Sequence, residues 1–286
     1  MRQCSRGAFG IPSLYVERAR VCYREILRTR STFRLRLVSL ALALIGASGA
    51  GAQDLQRVVS PDGQVELRLF IDKPDAASLF RLAYQVYFRG QRIINTSFLG
   101  LDVYNQVLLG ENLGLISSKT GAGDGYHSLL AEYMQNGSLG RRINVEVRAF
   151  NGGVAFRYLV PVSTPLIKLT LENETTEFEF VEDAELPSRH QKVTSLRTDV
   201  TLPLPLVADE PGLGWVAIAE VPAGNYPRIS LSRTEGKILI SRLPPRPDKL
   251  YVAWEGPTPV VGPWRVVLLG TTQEEVTDLK LLDRLK

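Results

Sequence analysis

Cysteine is almost missing from this chain: 286 residues hold two, Cys4 and Cys22, both near the start. Histidine is equally scarce, with only His127 and His190. No H-x-x-x-H or HExxH spacing can be drawn from two such residues, so no metal site is expected. No G-x-S-x-G elbow is present either. The run Gly121-Ala122-Gly123-Asp124-Gly125 lacks the Lys-Ser/Thr of a phosphate loop and reads as a flexible loop. Long apolar runs are lacking too. The one from Leu37 to Ile45 is too short to cross a bilayer, which takes about 20 residues.

That short run has a different use. Arg34-Leu35-Arg36 precedes it, small residues follow it, and Ala50-Gly51-Ala52 ends it before Gln53. A basic flank, a brief apolar stretch and an A-x-A site make a secretory signal peptide. Residues 1–52 are therefore expected to be an upstream extension plus a signal. Residues 1–30 are Arg-rich without a core pattern, as if the true start lay near Leu27 to Arg30. The expected location is the periplasm or the cell exterior. No cysteine follows the apolar run to carry a lipid anchor, and no membrane span is expected after cleavage.

Removing the leader reverses the charge. The whole chain is formally +4, but the first 52 residues carry nine arginines and two glutamates. Residues 53–286 keep 25 basic and 28 acidic residues, a net charge of −3. Nucleic-acid binding needs clustered Lys and Arg, and none remains, so it is excluded. Both cysteines leave with the leader. The exported part must hold together by its core alone, and it is long enough to build one.

What remains is patterned at a period of two. From Arg142 to Pro161, Ile143, Val145, Val147 and Ala149 share one face, opposite Asn144, Glu146 and Arg148. Alternation of this kind marks a half-buried strand. Asn151-Gly152-Gly153 supplies a tight turn. The return arm sets Val154, Phe156, Tyr158 and Val160 against Ala155, Arg157 and Leu159. It is apolar on both faces and reads as a central strand covered on both sides. Further strands are expected over Val65–Ile71, Leu82–Phe88, Phe98–Tyr104, Thr175–Val181, Gly214–Ala219 and Pro263–Gly270. Gly110 to Gly125 reads as a loop with a short strand near Leu113 to Ile116, and Tyr126 to Tyr133 fits helix or strand. Thr271 to Leu282 is the clearest helix candidate, with Thr272 as cap and Glu274 and Glu275 at its positive end. Many short strands, turns between them and few helices predict a mainly β fold, a large antiparallel β-sandwich with a short C-terminal helix. No linker divides residues 53–286, which are read as one domain.

Candidate chemistry is sparse. Glu177 and Glu179 share a strand face, where a solvated face is the plainer explanation. Glu182, Asp183 and Glu185 could help hold Ca²⁺, without EF-hand spacing to support it. Arg157 projects from a covered strand and needs a partner, which is either a structural ion pair or a ligand. Trp215, Trp254 and Trp264 could stack on sugar rings. Trp254, beside a turn, is the best placed of them. His127, His190 and Glu220 could supply an acid and a base for a mutarotase-like epimerase. The residues singled out for carbohydrate contact are Arg157, Trp254, Glu220 and His190. No catalytic residue and no metal ligand is assigned.

Six stretches in order resemble the N-terminal domain of glycoside hydrolase family 97. They are Ser60-Pro61-Asp62-Gly63, then Tyr84 to Gly90 with Ser97-Phe98-Leu99-Gly100-Leu101, Phe150-Asn151 with Gly153 and Phe156-Arg157-Tyr158, Glu174 with Glu177-Phe178, Gly214 to Tyr226, and Pro263-Trp264-Arg265. The resemblance implies a bacterial, exported β-sandwich of the galactose mutarotase-like supersandwich kind. It implies a family of α-glucosidases and α-galactosidases in which such a domain precedes a (β/α)₈ barrel holding the catalytic carboxylates. It also implies an active-site Ca²⁺ to which the domain lends a glutamate. Here that glutamate's stretch has no clear counterpart between Ala184 and Val200, so no cofactor is expected. The family's H-E-A has become Ala219-Glu220-Val221, and F-R-Y-E has become Phe156-Arg157-Tyr158-Leu159. The chain ends at Lys286, about where the barrel should begin. Three functions follow as expectations: a non-catalytic module that binds a glycan or a protein partner, a subunit of a split glycosidase whose barrel is encoded separately, or an epimerase.

Overall fold

A computed structural model describes residues 53–137, 140–162 and 166–286. The signal-peptide reading falls outside the described residues. The central hairpin forms as its alternation requires. Strands Arg142–Phe150 and Gly153–Val160 pair antiparallel, with Val145 opposite Tyr158, Val147 opposite Phe156 and Ala149 opposite Val154. Gly152 takes φ +81° in the turn, a value that costs glycine little.

This hairpin lies inside the largest sheet. On one side it continues through Tyr126–Gln135 to the edge strand Leu113–Gly123. On the other it continues through Trp264–Gly270, Gly214–Val221, Leu206–Glu210, Glu185–Leu186 and Gln191–Lys192. Three smaller antiparallel sheets supply the opposing layer. The first runs from Gln53–Val59 through Val65–Asp72 and Arg81–Phe88 to Gln91–Phe98. The second joins Trp254–Pro257, Lys168–Glu174 and Leu101–Val103. The third joins Glu177–Glu179, Ile238–Arg242, Ser230–Arg233 and Thr201–Leu202.

Side chains from all four sheets meet in one apolar core. Tyr84, Phe156 and Phe178 lie at its centre, with ring centroids 5.0 Å and 6.4 Å from Tyr84. The Tyr84 hydroxyl stays satisfied by donating to the Glu177 carbonyl at 2.7 Å. The fold is the large antiparallel β-sandwich expected.

The outer face of the large sheet carries a second, smaller cluster. Ala155, Ala217 and Ala219 leave room there for Trp264, Val266, Val276 and Leu285. Two short helices, Gln273–Thr277 and Lys280–Asp283, contribute its cover. Thr272 caps the first by accepting from the Glu275 amide, and Glu275 reaches back to the Thr271 amide at 2.6 Å.

Several expectations need correction. The helix is two pieces, because Asp278 leaves the helical region with ψ 97°. Leu113–Gly123 is one strand of 11 residues rather than a loop with a short strand. It is an edge, largely open on both faces beyond Ile116, so no alternation betrays it. Tyr126–Gln135 resolves as strand. Thr175 to Val181 shrinks to Glu177–Glu179. The return arm of the hairpin is covered on both faces only over its first half, since Arg157 and Leu159 are half-exposed.

Candidate functional site

The polar residues at the heart of the fold come from distant strands. Arg265 sits on Trp264–Gly270 with its side chain fully buried. An unpaired buried guanidinium would be costly, so it needs carboxylates. Glu174 supplies a two-point contact: Nε to Oε1 at 2.7 Å and Nη2 to Oε2 at 2.6 Å. Glu220 takes Nη1 through Oε2 at 2.7 Å. Register explains the second contact, because Glu220 lies directly opposite Arg265 on the adjoining strand.

The remaining lone pairs of Glu174 are also used. Thr176 Oγ1 donates to Oε1 at 2.7 Å, and the Tyr226 hydroxyl donates to Oε2 at 3.1 Å. Tyr158 joins through Thr176 Oγ1 at 2.8 Å. Burial, with the Glu174 carboxylate alongside, pushes the Tyr226 hydroxyl well above its ordinary pKa, so it stays a protonated donor. Saturated in this way, Glu174 has no free oxygen with which to take a proton from a substrate.

The four carbohydrate candidates fall in different surroundings. Glu220 belongs to this network. Trp254 stands next to it: its ring packs on Tyr226 with centroids 5.4 Å apart, and its Nε1 donates to Asn225 at 3.2 Å. It also covers Gly256 so closely that a Cβ there would strike the ring. Trp254 is thus a wedge between strands rather than a free platform. Arg157 pairs with Glu146 across the hairpin at 2.6 Å and lies 4.3 Å over the Trp264 ring. Arg148 approaches the same ring at 4.7 Å. Trp264 is therefore taken up by two guanidiniums.

His190 lies elsewhere, and Trp215 lies with it. The hairpin Glu185–Leu186 to Gln191–Lys192 extends the large sheet, and His190 turns its corner at φ +51°. Cross-strand pairing then sets Lys192 opposite Glu185, Glu185 opposite Asp209 and Asp209 opposite Trp215. Residues directly opposite point to the same face, so the four form one row. With His190 and Gln191 they line a groove of about 650 Å³. No hydrogen bond or ion pair engages the side chains of these six among the described residues. The row combines one aromatic face with carboxylates, an amine, an amide and an imidazole, which is chemistry suited to hydroxyl-rich ligands.

The acid–base trio does not assemble. The His127 ring is held at 2.8 Å from the Val59 carbonyl oxygen, Glu220 is held by Arg265, and His190 stands on the groove. The loop carboxylates do not fit calcium either. Both oxygens of Asp183 are spent on Thr194, at 3.1 Å to its amide and 2.7 Å to its hydroxyl. Among the described residues no three His, Cys, Asp or Glu side chains gather as a cation would need.

One buried carboxyl was not visible in the sequence. Glu210 accepts from the Glu182 amide at 2.6 Å through Oε1, while Oε2 is buried with no hydrogen-bond partner among the described residues. Burial raises its pKa from 4.5 to about 7, against the backbone amides of Glu182 and Val181.

A wide antiparallel sandwich whose carboxylates Glu174 and Glu220 are held by a buried arginine defines a β-sandwich module whose centre is structural. Its family is equally plain. The chain belongs to the Glycosyl-hydrolase 97 N-terminal family, whose model matches residues 58–286. It is 23% identical to a retaining alpha-galactosidase of Bacteroides thetaiotaomicron, over 86% of this chain and 43% of that protein. A glycoside hydrolase family 97 enzyme from Pseudoalteromonas sp. strain K8, solved with acarbose, superposes with TM-score 0.70 at 18% identity, over 81% of this chain and 38% of the other. A beta-arabinopyranosidase superposes with TM-score 0.64 at 21% identity, over 77% and 40%. The chain thus spans less than half the length of these relatives.

Proposed function

We propose that this chain is an exported, non-catalytic, carbohydrate-associated module that takes a glycan in the groove between Trp215 and His190. One observation carries the reading: the row Lys192, Glu185, Asp209 and Trp215 presents unspent polar groups beside an aromatic face. Sugars are bound by stacking an apolar ring face on an aromatic while hydroxyls exchange hydrogen bonds with such groups. The relatives' names point to the same ligand class, namely α-galactosides, acarbose and arabinopyranosides. A glycan array of α- and β-linked oligosaccharides tests it. Signals confined to saccharides and reduced in Trp215→Ala support the proposal; a blank array counts against it. Export is tested by fractionation and N-terminal sequencing, with Gln53 as the expected first residue.

A second reading rests on coverage. The share of the relatives that this chain does not match leaves room for a separately encoded barrel as partner. In that case the module serves as one subunit of a split α-glycosidase. Mixing purified chain and barrel would then produce hydrolysis of an aryl α-glucoside that neither shows alone.

A further inference from the structure

The Arg265 network has one open side. Glu220 Oε2 is engaged by Arg265, with the Ile229 amide at 3.3 Å. Glu220 Oε1 accepts no hydrogen bond among the described residues. Arg228 Nη1 stands 3.7 Å from it, within ion-pair range but too far for a hydrogen bond. The side chain is only 3% exposed, and it lines a groove of about 540 Å³. That volume suits a small ligand. Leu204, Leu243 and Pro203 give this groove apolar walls, and Arg228 and Arg242 stand on its lining. Arg242 lies on its strand opposite Ser230 and donates from Nε to Ser232 at 2.9 Å. No carboxylate pairs with it among the described residues. Beneath, Arg265 offsets one of the two carboxylate charges of Glu174 and Glu220, leaving one negative charge below two guanidiniums.

An acceptor open to the groove below two weakly paired cations has a definite complement: an anion that also carries hydroxyl donors. We propose that this groove binds a carboxylated sugar unit of the uronic acid class. A ring hydroxyl donates to Glu220 Oε1, and the sugar carboxylate accepts from Arg228 and Arg242 as a charge-assisted pair. A neutral sugar offers the guanidiniums no charge-assisted partner. A carboxylate without hydroxyls leaves Oε1 unpaired. The groove shares no lining residue with the one at Trp215, so the two proposals stand or fall separately.

The test is calorimetric titration of the full chain with digalacturonate, with the neutral galactose disaccharide of the same linkage, and with glutarate. Digalacturonate is expected to bind saturably, and the other two at least tenfold more weakly. Arg242→Ala and Arg228→Ala, both at exposed positions, should each weaken digalacturonate at least tenfold with unchanged melting. Trp215→Ala should leave it unaltered. Added salt should weaken it further. No binding, equal binding of the neutral disaccharide or glutarate, or unchanged affinity in both arginine variants would overturn the proposal.

Discussion

Around Arg265 the polar groups are paired, with Glu220 Oε1 the exception; around Trp215 none of the six side chains named on the groove is paired among the described residues. Both places set carboxylates near aromatic rings, yet they do opposite work. In the first, charge has been taken out of water, which is tolerable only because each donor faces an acceptor. In the second, donors and acceptors remain in water and keep their capacity for a ligand. A polar cluster in a sequence therefore says little about function until its partners are known. Glu174 and the Oε2 of Glu220 are scaffold; the candidates for recognition are the groups left idle.

The largest effect is expected at the buried end. Arg265→Ala strands two carboxylates in the core. It should cost about 3–5 kcal/mol in chemical denaturation. A loss below about 1 kcal/mol would mean the network is not the structural centre described.

Glu210 gives the next effect, and its sign is fixed. Its folded pKa is about 7 against an ordinary 4.5, so the folded state holds the proton more tightly. The resulting stability is fully present below pH 4.5 and is lost as pH rises through about 7. The loss should amount to about 3 kcal/mol between pH 4.5 and pH 8. Glu210→Gln should flatten that slope in denaturant melts at several pH values; an unchanged slope would place the titration elsewhere.

At the open end the effects fall on binding. Trp215→Ala should weaken glycan affinity at least tenfold, about 1.4 kcal/mol, with a stability loss smaller than that of Arg265→Ala, since Trp215 is half-buried and packs in part on the outer apolar cluster. Arg265 variants that still fold should show the reverse. The smallest effect belongs to the helix cap: Thr272→Ala should cost about 1 kcal/mol and leave both grooves untouched, as thermal melts and titration would show.

The sandwich was legible because strands with one buried face announce themselves by alternation, as Arg142–Phe150 does. The edge Leu113–Gly123 was not, because an edge open on both sides carries no period. The buried network had no linear signature, since Glu174 and Glu220 lie 91 and 45 positions from Arg265. A trace was nonetheless present. Tyr158, Glu174, Glu220, Tyr226 and Arg265 all fall in the stretches that carry the family resemblance, and the fold brings them together. Those motifs mark the packing of the sandwich. Of the groove, the sequence singles out only Trp215, His190 and Glu185, and for different reasons. Asp209 and Lys192 become neighbours through pairing of two-residue strands, too short to recognise from sequence.

Recognition of neutral α-glycans is assigned to the Trp215 row and not to the paired oxygens around Arg265. Isothermal titration of the purified chain and its Trp215→Ala variant with α-galacto- and α-gluco-oligosaccharides tests it most directly. Saturable heat is expected from the parent chain, and its loss in a Trp215→Ala variant that remains folded. Equal heats from both proteins, or none from the parent chain, would contradict it.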